Sequence, residues 1–231
     1  MHMKYDFVAL LPMKEHSERV SNKNIKVLHG KPLFFYIADT LKDLGIFSNL
    51  VINTDSNKIS ELAKERYGDW VKIHKRPDYL IGDNVSMNKI ISYDVGLCGE
   101  EKFYLQTHST NPLLRSSSLM KAINYFKELF IKNEKASLFS VNKIQSRLYN
   151  KDLIPINHDP AILQRTQDLE DIYEENSCFY IFRGKTFFRL NHRISDQPYV
   201  FPLSRNSREY LDIDDLFDWN LVENILTITN K

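Results

Sequence analysis

The chain predicts an α/β fold, a mostly parallel sheet with helices on both faces, and three observations predict it. Over the first two-thirds, apolar runs of strand length alternate with stretches of helical periodicity, the signature of βαβ units. Crossovers between parallel strands are right-handed, which places helices on both sides of the sheet. A length of 231 residues with 42% hydrophobic and 26% charged residues fits one globular core, so 1–231 reads as a single domain.

The elements follow in chain order. Tyr5–Pro12 reads as a buried strand and Met13–Asn24 as the loop after it. Leu33, Ile37, Leu41 and Leu44 stand near helical spacing within 31–44, and Gly45 stops that helix. Leu50-Val51-Ile52 is the second strand, and Asp55 or Ser56 caps a helix reaching Tyr67. Val71-Lys72-Ile73 is a short third strand. Ser86 opens a helix through Ile90, Ile91 and Val95, and Phe103-Tyr104-Leu105 follows as a strand. Ser116–Ser118 opens a helix reaching Phe130, and Leu138–Val141 is the next strand. From about 143 to 197 the rhythm breaks into turn residues and short apolar pieces, a β-rich excursion rather than a second core. Leu216–Ile228 returns to helical periodicity.

Composition excludes several classes. Thirty-one Lys and Arg against thirty Asp and Glu leave a net charge of +1, without the basic footprint of a nucleic-acid binder or a polybasic membrane patch. No apolar run is long enough to span a bilayer, and the N-terminus lacks a signal-peptide profile. Cys98 and Cys178 are the only cysteines, which argues against a disulfide framework and for a cytoplasmic chain. Seven glycines form neither a GxxxxGK[ST] nor a GxGxxG phosphate cradle.

Ligands of parallel sheets bind beyond the carboxyl ends of the strands, so the loops there carry the candidate chemistry. The loop after the first strand holds Lys14, Arg19 and Lys23, with Ser17, Ser21 and Asn24 as hydrogen-bonding partners. Charge-assisted bonds of this kind suit a polyphosphate, and a solvated polar loop is the plain alternative. Asp212-Ile213-Asp214 in an extended segment turns both carboxylates to one side, a pairing that a hard cation such as Mg²⁺ relieves. The alternative is helix capping by Asp214, Asp215 and Asp218. Arg165 in Arg165-Thr166-Gln167-Asp168 offers a planar fork to a carboxylate, against a surface ion pair of little value. Gln106-Thr107-His108 ends a strand; His108 invites a general-base reading, and a hydrogen-bonded structural histidine is the alternative.

Taken together, these residues resemble the N-acylneuraminate cytidylyltransferase family, with the 3-deoxy-manno-octulosonate enzymes further off. Pro12, Ser17, Lys23 and Asn24 match its first loop, and Gly30-Lys31-Pro32-Leu33 its next motif. Asn53-Thr54-Asp55-Ser56, Arg76-Pro77 with Leu80 and Asp83, Gln167-Asp168-Leu169 with Asn176 and Tyr180, and Leu211–Asp214 follow in family order. The resemblance implies a three-layer α/β/α nucleotidyltransferase (Rossmann-like) fold that transfers CMP from CTP to an acidic, sialic-acid-like sugar and releases pyrophosphate. It implies Lys14, Ser17, Lys23, Asn24, Arg76, Val85 and Ser86 for the nucleotide. Gln106, His108, Lys143, Arg165, Gln167, Asn176 and Tyr180 fall to the sugar, and Asp212 and Asp214, catalytic with Lys23, to Mg²⁺. It also implies a homodimer whose 143–197 excursion reaches the neighbouring subunit's site.

The sequence departs from the family pattern mostly near the acceptor. Lys14 stands for arginine, Glu15-His16 for small residues, Glu18 for a lysine, His108 for a glutamine and Ser177 for the glycine of N-G. Two rivals stay open. A glycosyltransferase would read Asp212-Ile213-Asp214 as a DxD motif and release a nucleoside phosphate instead of pyrophosphate. A non-catalytic protein of the same fold would bind CTP without turnover.

Overall fold

The computed structural model describes residues 5–15 and 19–229, and every structural statement below concerns those residues. One seven-stranded sheet forms the middle of the molecule. Its strands are β1 (Phe7–Leu10), β4 (Phe47–Thr54), β5 (Val71–Lys75), β6 (Phe103–Thr107), β7 (Ser137–Ile144), β8 (Ile172–Arg183) and β9 (Pro198–Pro202), in the order β5-β4-β1-β6-β8-β7-β9. β1 pairs in parallel with β4 and β6, β4 with β5, and β7 with β9. Only β8 runs antiparallel, between β6 and β7.

The strand period of two sorts β1 between two cores. Phe7, Ala9 and Leu11 face one side, where they pack with Ile37 and Leu41 of α1 (Leu33–Asp43), Ile59 and Ala63 of α2 (Asn57–Tyr67), and Phe126 and Phe130 of α4 (Ser116–Lys132). Val8 and Leu10 face the other, against Ile91 and Val95 of α3 (Met87–Cys98) and Phe187 of α5 (Gly184–Leu190). A strand buried on both faces reads as a continuous apolar run, as Phe7–Leu11 does. A third cluster joins Leu28, Leu33 and Ile213 to Trp219, Val222 and Leu226 of α6 (Leu216–Thr229), and it fixes the C-terminal segment against Leu28 and the start of α1.

Local signals account for most boundaries. Ser56 caps α2 by accepting from the Ile59 amide, and Gly45 ends the turn after α1 at φ +65°. β2 (Val27–Leu28) and β3 (Lys31–Pro32) form a hairpin whose turn residues His29 and Gly30 both have positive φ, as a tight hairpin turn requires. Ser86 precedes α3 as expected, but its hydroxyl makes no capping bond. The start of α4 is served from outside its own sequence. Buried Glu209 accepts from the Arg115 amide and the Ser118 hydroxyl.

The expected β-rich excursion over 143–197 divides in two. Residues 145–171 are loop apart from a 3-10 turn at Thr166–Asp168, with one isolated bridge between Tyr149 and Pro155. The remainder supplies β8 and α5, which belong to the central sheet and its helical layer. Turn residues dominate the first half and hid the buried run Cys178–Phe182 in the second. No helix is long and apolar enough to cross a membrane.

Candidate nucleotide site

A cleft of about 310 Å³ opens at the carboxyl ends of β1, β5 and β6. Strand pairing runs past the strand ends and positions its walls. The Met13 amide donates to the Asn53 carbonyl and the Arg76 amide to the Thr54 carbonyl, each at 2.9 Å, so Lys14 and Arg76 leave the sheet on either side of β4. Asp55 then pins the first loop by accepting from the Glu15 amide at 2.8 Å.

Four cations line the cleft: Lys14, Arg19, Lys23 and Arg76. Lys14 reaches Asp83 at 2.7 Å. Lys23 donates to the Ile213 carbonyl at 2.5 Å and lies 3.8 Å from Asp214, which also accepts from Arg19 at 3.1 Å. Asn24 is buried; its amide donates to the Lys14 carbonyl, and its oxygen accepts from Ser109 at 2.6 Å. Val85 lines the cleft, and Ser86 follows it at the N-terminus of α3. Ser17 lies outside the described residues.

Arg76 belongs to a buried network that the sequence reading missed. Its Nε donates to Asn53 Oδ1 at 2.8 Å, and its Nη2 donates to the Met13 and Asn53 carbonyls. Asn53 Nδ2 donates to Asp94 Oδ1 at 2.8 Å, and His74 Nδ1 meets the same oxygen at 2.7 Å. Asp94 is 1% exposed, and its second oxygen has no partner. Burial opposes charge on His74, but its bonds to Asp94 and Cys98 outweigh that and raise its pKa to about 9. A raised folded value stabilises the fold fully below the ordinary 6.5 and loses that contribution as pH rises through about 9. Thermal melts from pH 6 to pH 10 should therefore fall across that window in the native chain. His74→Gln should flatten the fall, and an equal fall in both proteins would refute the pairing.

The acidic segment answers the capping alternative. Asp218 Oδ2 accepts from the Asp214 and Asp215 amides, and Asp215 Oδ1 accepts from the Phe217 and Asp218 amides. Asp215 and Asp218 therefore cap α6, while the Asp214 side chain lines the cleft. Ile213 between the pair is fully buried, and Asp212, unlike Asp214, is not among the cleft-lining residues. Partial desolvation raises the Asp212 carboxyl above its ordinary range; a hydrogen bond from Thr110 counteracts this, and the Asp214 charge reinforces it. No cluster of three or more His, Cys, Asp or Glu side chains is placed to hold a metal among the described residues.

The residues expected at the sugar end divide. His108 lines the cleft. Gln106 is fully buried behind it, with its amide nitrogen 3.2 Å from His108 Nε2. An amide nitrogen only donates, so His108 Nε2 accepts and the neutral ring carries its proton on Nδ1. Desolvation, with Arg193 and Lys23 nearby, depresses His108 to about 4, so it is neutral at pH 7 and a poor general base. Tyr180 is buried beneath Arg193, whose guanidinium lies 3.7 Å from the ring centroid. Asn176 donates to Asn142 at 2.9 Å. Ser177 adopts φ +58°, which explains why the family pattern places glycine there.

Of the seven residues only His108 lines the cleft; Gln106, Lys143, Arg165, Gln167, Asn176 and Tyr180 do not line the cleft of their own chain. Lys143 pairs with Asp171 at 2.5 Å. Arg165 closes a fork onto Asp168 at 2.8 and 3.2 Å, its side chain 73% exposed. Gln167 lies exposed in the 3-10 turn Thr166–Asp168.

The profile of the family described as Cytidylyltransferase matches residues 8–210. The chain is 24% identical to the pseudaminic acid cytidylyltransferase of Campylobacter jejuni over 97% of both chains. It is 22% identical to the N-acylneuraminate cytidylyltransferase of Escherichia coli, covering 99% of this chain and 53% of that one. A solved structure of CMP:2-keto-3-deoxy-manno-octonic acid synthetase complexed with CTP superimposes with a TM-score of 0.65 at 11% identity, over 97% of this chain and 99% of that one.

Proposed function

Because the chain belongs to the cytidylyltransferase family, we propose that it transfers CMP from CTP to an acidic, sialic-acid-like sugar. The observation that carries this reading is the convergence of Lys14, Arg19, Lys23 and Arg76 on one cleft beside Asp214. Such a cleft offers a polyphosphate several charge-assisted contacts at once. In the step, the anomeric hydroxyl oxygen bonds to the α-phosphorus as the bond to the β-phosphate oxygen breaks. Pyrophosphate leaves and the hydroxyl proton passes to water. Lys14 and Lys23 offset the charge on the triphosphate, and buried Arg76 and Asn24 hold the nucleoside end.

Asp212 and Asp214 suit Mg²⁺. They are two hard oxygen donors two positions apart, near enough that the Asp214 charge raises the Asp212 carboxyl, and a cation relieves that repulsion. Two carboxylates with substrate phosphates are a usual Mg²⁺ set. Bound there, the ion would offset charge that builds on the leaving pyrophosphate.

The reading includes a homodimer in the cytoplasm. Unpaired Cys98 and Cys178 accord with a reducing compartment. Loop 145–171 exposes Leu153, Ile154, Ile156, Ile162 and Leu163, the last at 94%, and a second copy of this chain is the occupant that would cover them. Light scattering should give twice 27.2 kDa, and Ile154→Glu with Leu163→Glu should halve that mass. A monomeric native chain would refute the dimer.

The test of function is pyrophosphate release from each of the four nucleoside triphosphates. The acceptors are pseudaminic acid, an N-acylneuraminate and 2-keto-3-deoxy-manno-octonic acid. Release from CTP with at least one acid is expected. Binding of CTP without release would favour the non-catalytic rival.

A further inference from the structure

We infer that Arg193 anchors the carboxylate of the acceptor, an assignment that rests on the proposed transfer to an acidic sugar. Arg193 lies in the loop between α5 and β9 and drew no attention as sequence. Its Nη1 donates to Gln106 Oε1 at 2.8 Å, and its guanidinium stacks 3.7 Å from the Tyr180 ring centroid. Both supports are fully buried, so the guanidinium plane is held by fixed groups.

Its charge is poorly matched by its surroundings. Arg66, Arg165, Arg183 and Arg189 each meet a carboxylate within 4 Å, whereas Arg193 meets a neutral amide oxygen. Glu175 is the carboxylate whose field it feels, and that group accepts from the Tyr180 hydroxyl. A guanidinium presents five N–H donors, of which Gln106 and Tyr180 engage only part. A desolvated cation without an ion pair is costly, and an incoming carboxylate would relieve that cost.

Position supports the same role. Arg193 does not itself line the cleft, but the Gln106 side chain to which it donates also meets cleft-lining His108, its amide nitrogen 3.2 Å from Nε2. In a 2-keto sugar acid the carboxylate sits on the anomeric carbon, so its anchor belongs close to the reacting oxygen. Arg165, the residue the family resemblance assigns to this task, has its fork closed on Asp168. Arg193 supplies the same planar recognition from within the chain.

The test compares the native chain with Arg193→Gln, using whichever of the three acids is turned over fastest and that acid's carboxyl methyl ester. For the free acid, KM should rise about tenfold or more, as expected for loss of a bond to a charged group, with KM for CTP unchanged. For the ester, native and variant should perform alike, because the charge that Arg193 reads is gone. Should Arg193→Gln fail to fold, Arg193→Lys, which keeps the charge and loses the fork, makes the same comparison. An unchanged KM for the acid, or equal losses for acid and ester, would overturn the assignment and leave cytidylyl transfer intact. A native chain that releases no pyrophosphate with any acid would overturn the transfer reading, and this inference with it.

Discussion

Asp212→Asn and Asp214→Asn are each expected to lower pyrophosphate release by about a hundredfold or more while leaving the melting temperature unchanged. Asparagine keeps the side-chain shape and one oxygen but removes a charge, so a cation held between the two positions loses much of its attraction. CTP binding through Lys23 and Arg76 should persist in both variants. The capping bonds at the start of α6 come from Asp215 and Asp218, so neither substitution removes a cap. Asp215→Ala supplies the contrast. It should cost about 1 kcal/mol of stability, typical of a lost cap, and leave turnover intact. Steady-state release with Mg²⁺ varied, beside a melt of each variant, checks both halves. Near-native turnover in the two Asn variants would end the metal reading.

Lys23→Ala is expected to weaken CTP binding by about 1.5–3 kcal/mol, roughly 10- to 150-fold in Kd. Lys23 is the most enclosed of the flexible cations in the cleft, its side chain 14% exposed, and it ties the first loop to the acidic segment through the Ile213 carbonyl. Arg19 touches the same Asp214 with its side chain 64% exposed, so Arg19→Ala should cost far less. Calorimetric titration with CTP distinguishes them. An unchanged Kd in a folded Lys23→Ala chain would remove Lys23 from the nucleotide site.

Much of this arrangement was legible in the residues. The apolar runs of β1, β4 and β6 and the stripes of α1 and α4 are local patterns, and parallel sheets direct ligands to their carboxyl ends whatever the strand order. Lys14, Lys23, Asn24, Arg76 and Val85 line the cleft at that edge. One further signal was legible and passed over. Asp94 stands on the apolar stripe of Ile90, Ile91 and Val95, where an acid must find buried partners, and it finds Asn53 and His74.

The sequence by itself determined the α/β class, the edge of the sheet that carries the candidate site and the cations of the first loop, because each rests on periodicity or on neighbours in the chain. The tertiary structure decided the rest. It inserted β8 between β6 and β7, a pairing over long sequence separation that no local pattern encodes. It resolved Asp214 from Asp215 and Asp218, because capping and cleft-facing carboxylates look alike until their hydrogen bonds are known. It closed Arg165 on Asp168 and set Arg193 on Tyr180 beside Gln106. An arginine acquires a role only from the side chains that hold its guanidinium, and for Arg193 those lie 13 and 87 positions away in the chain.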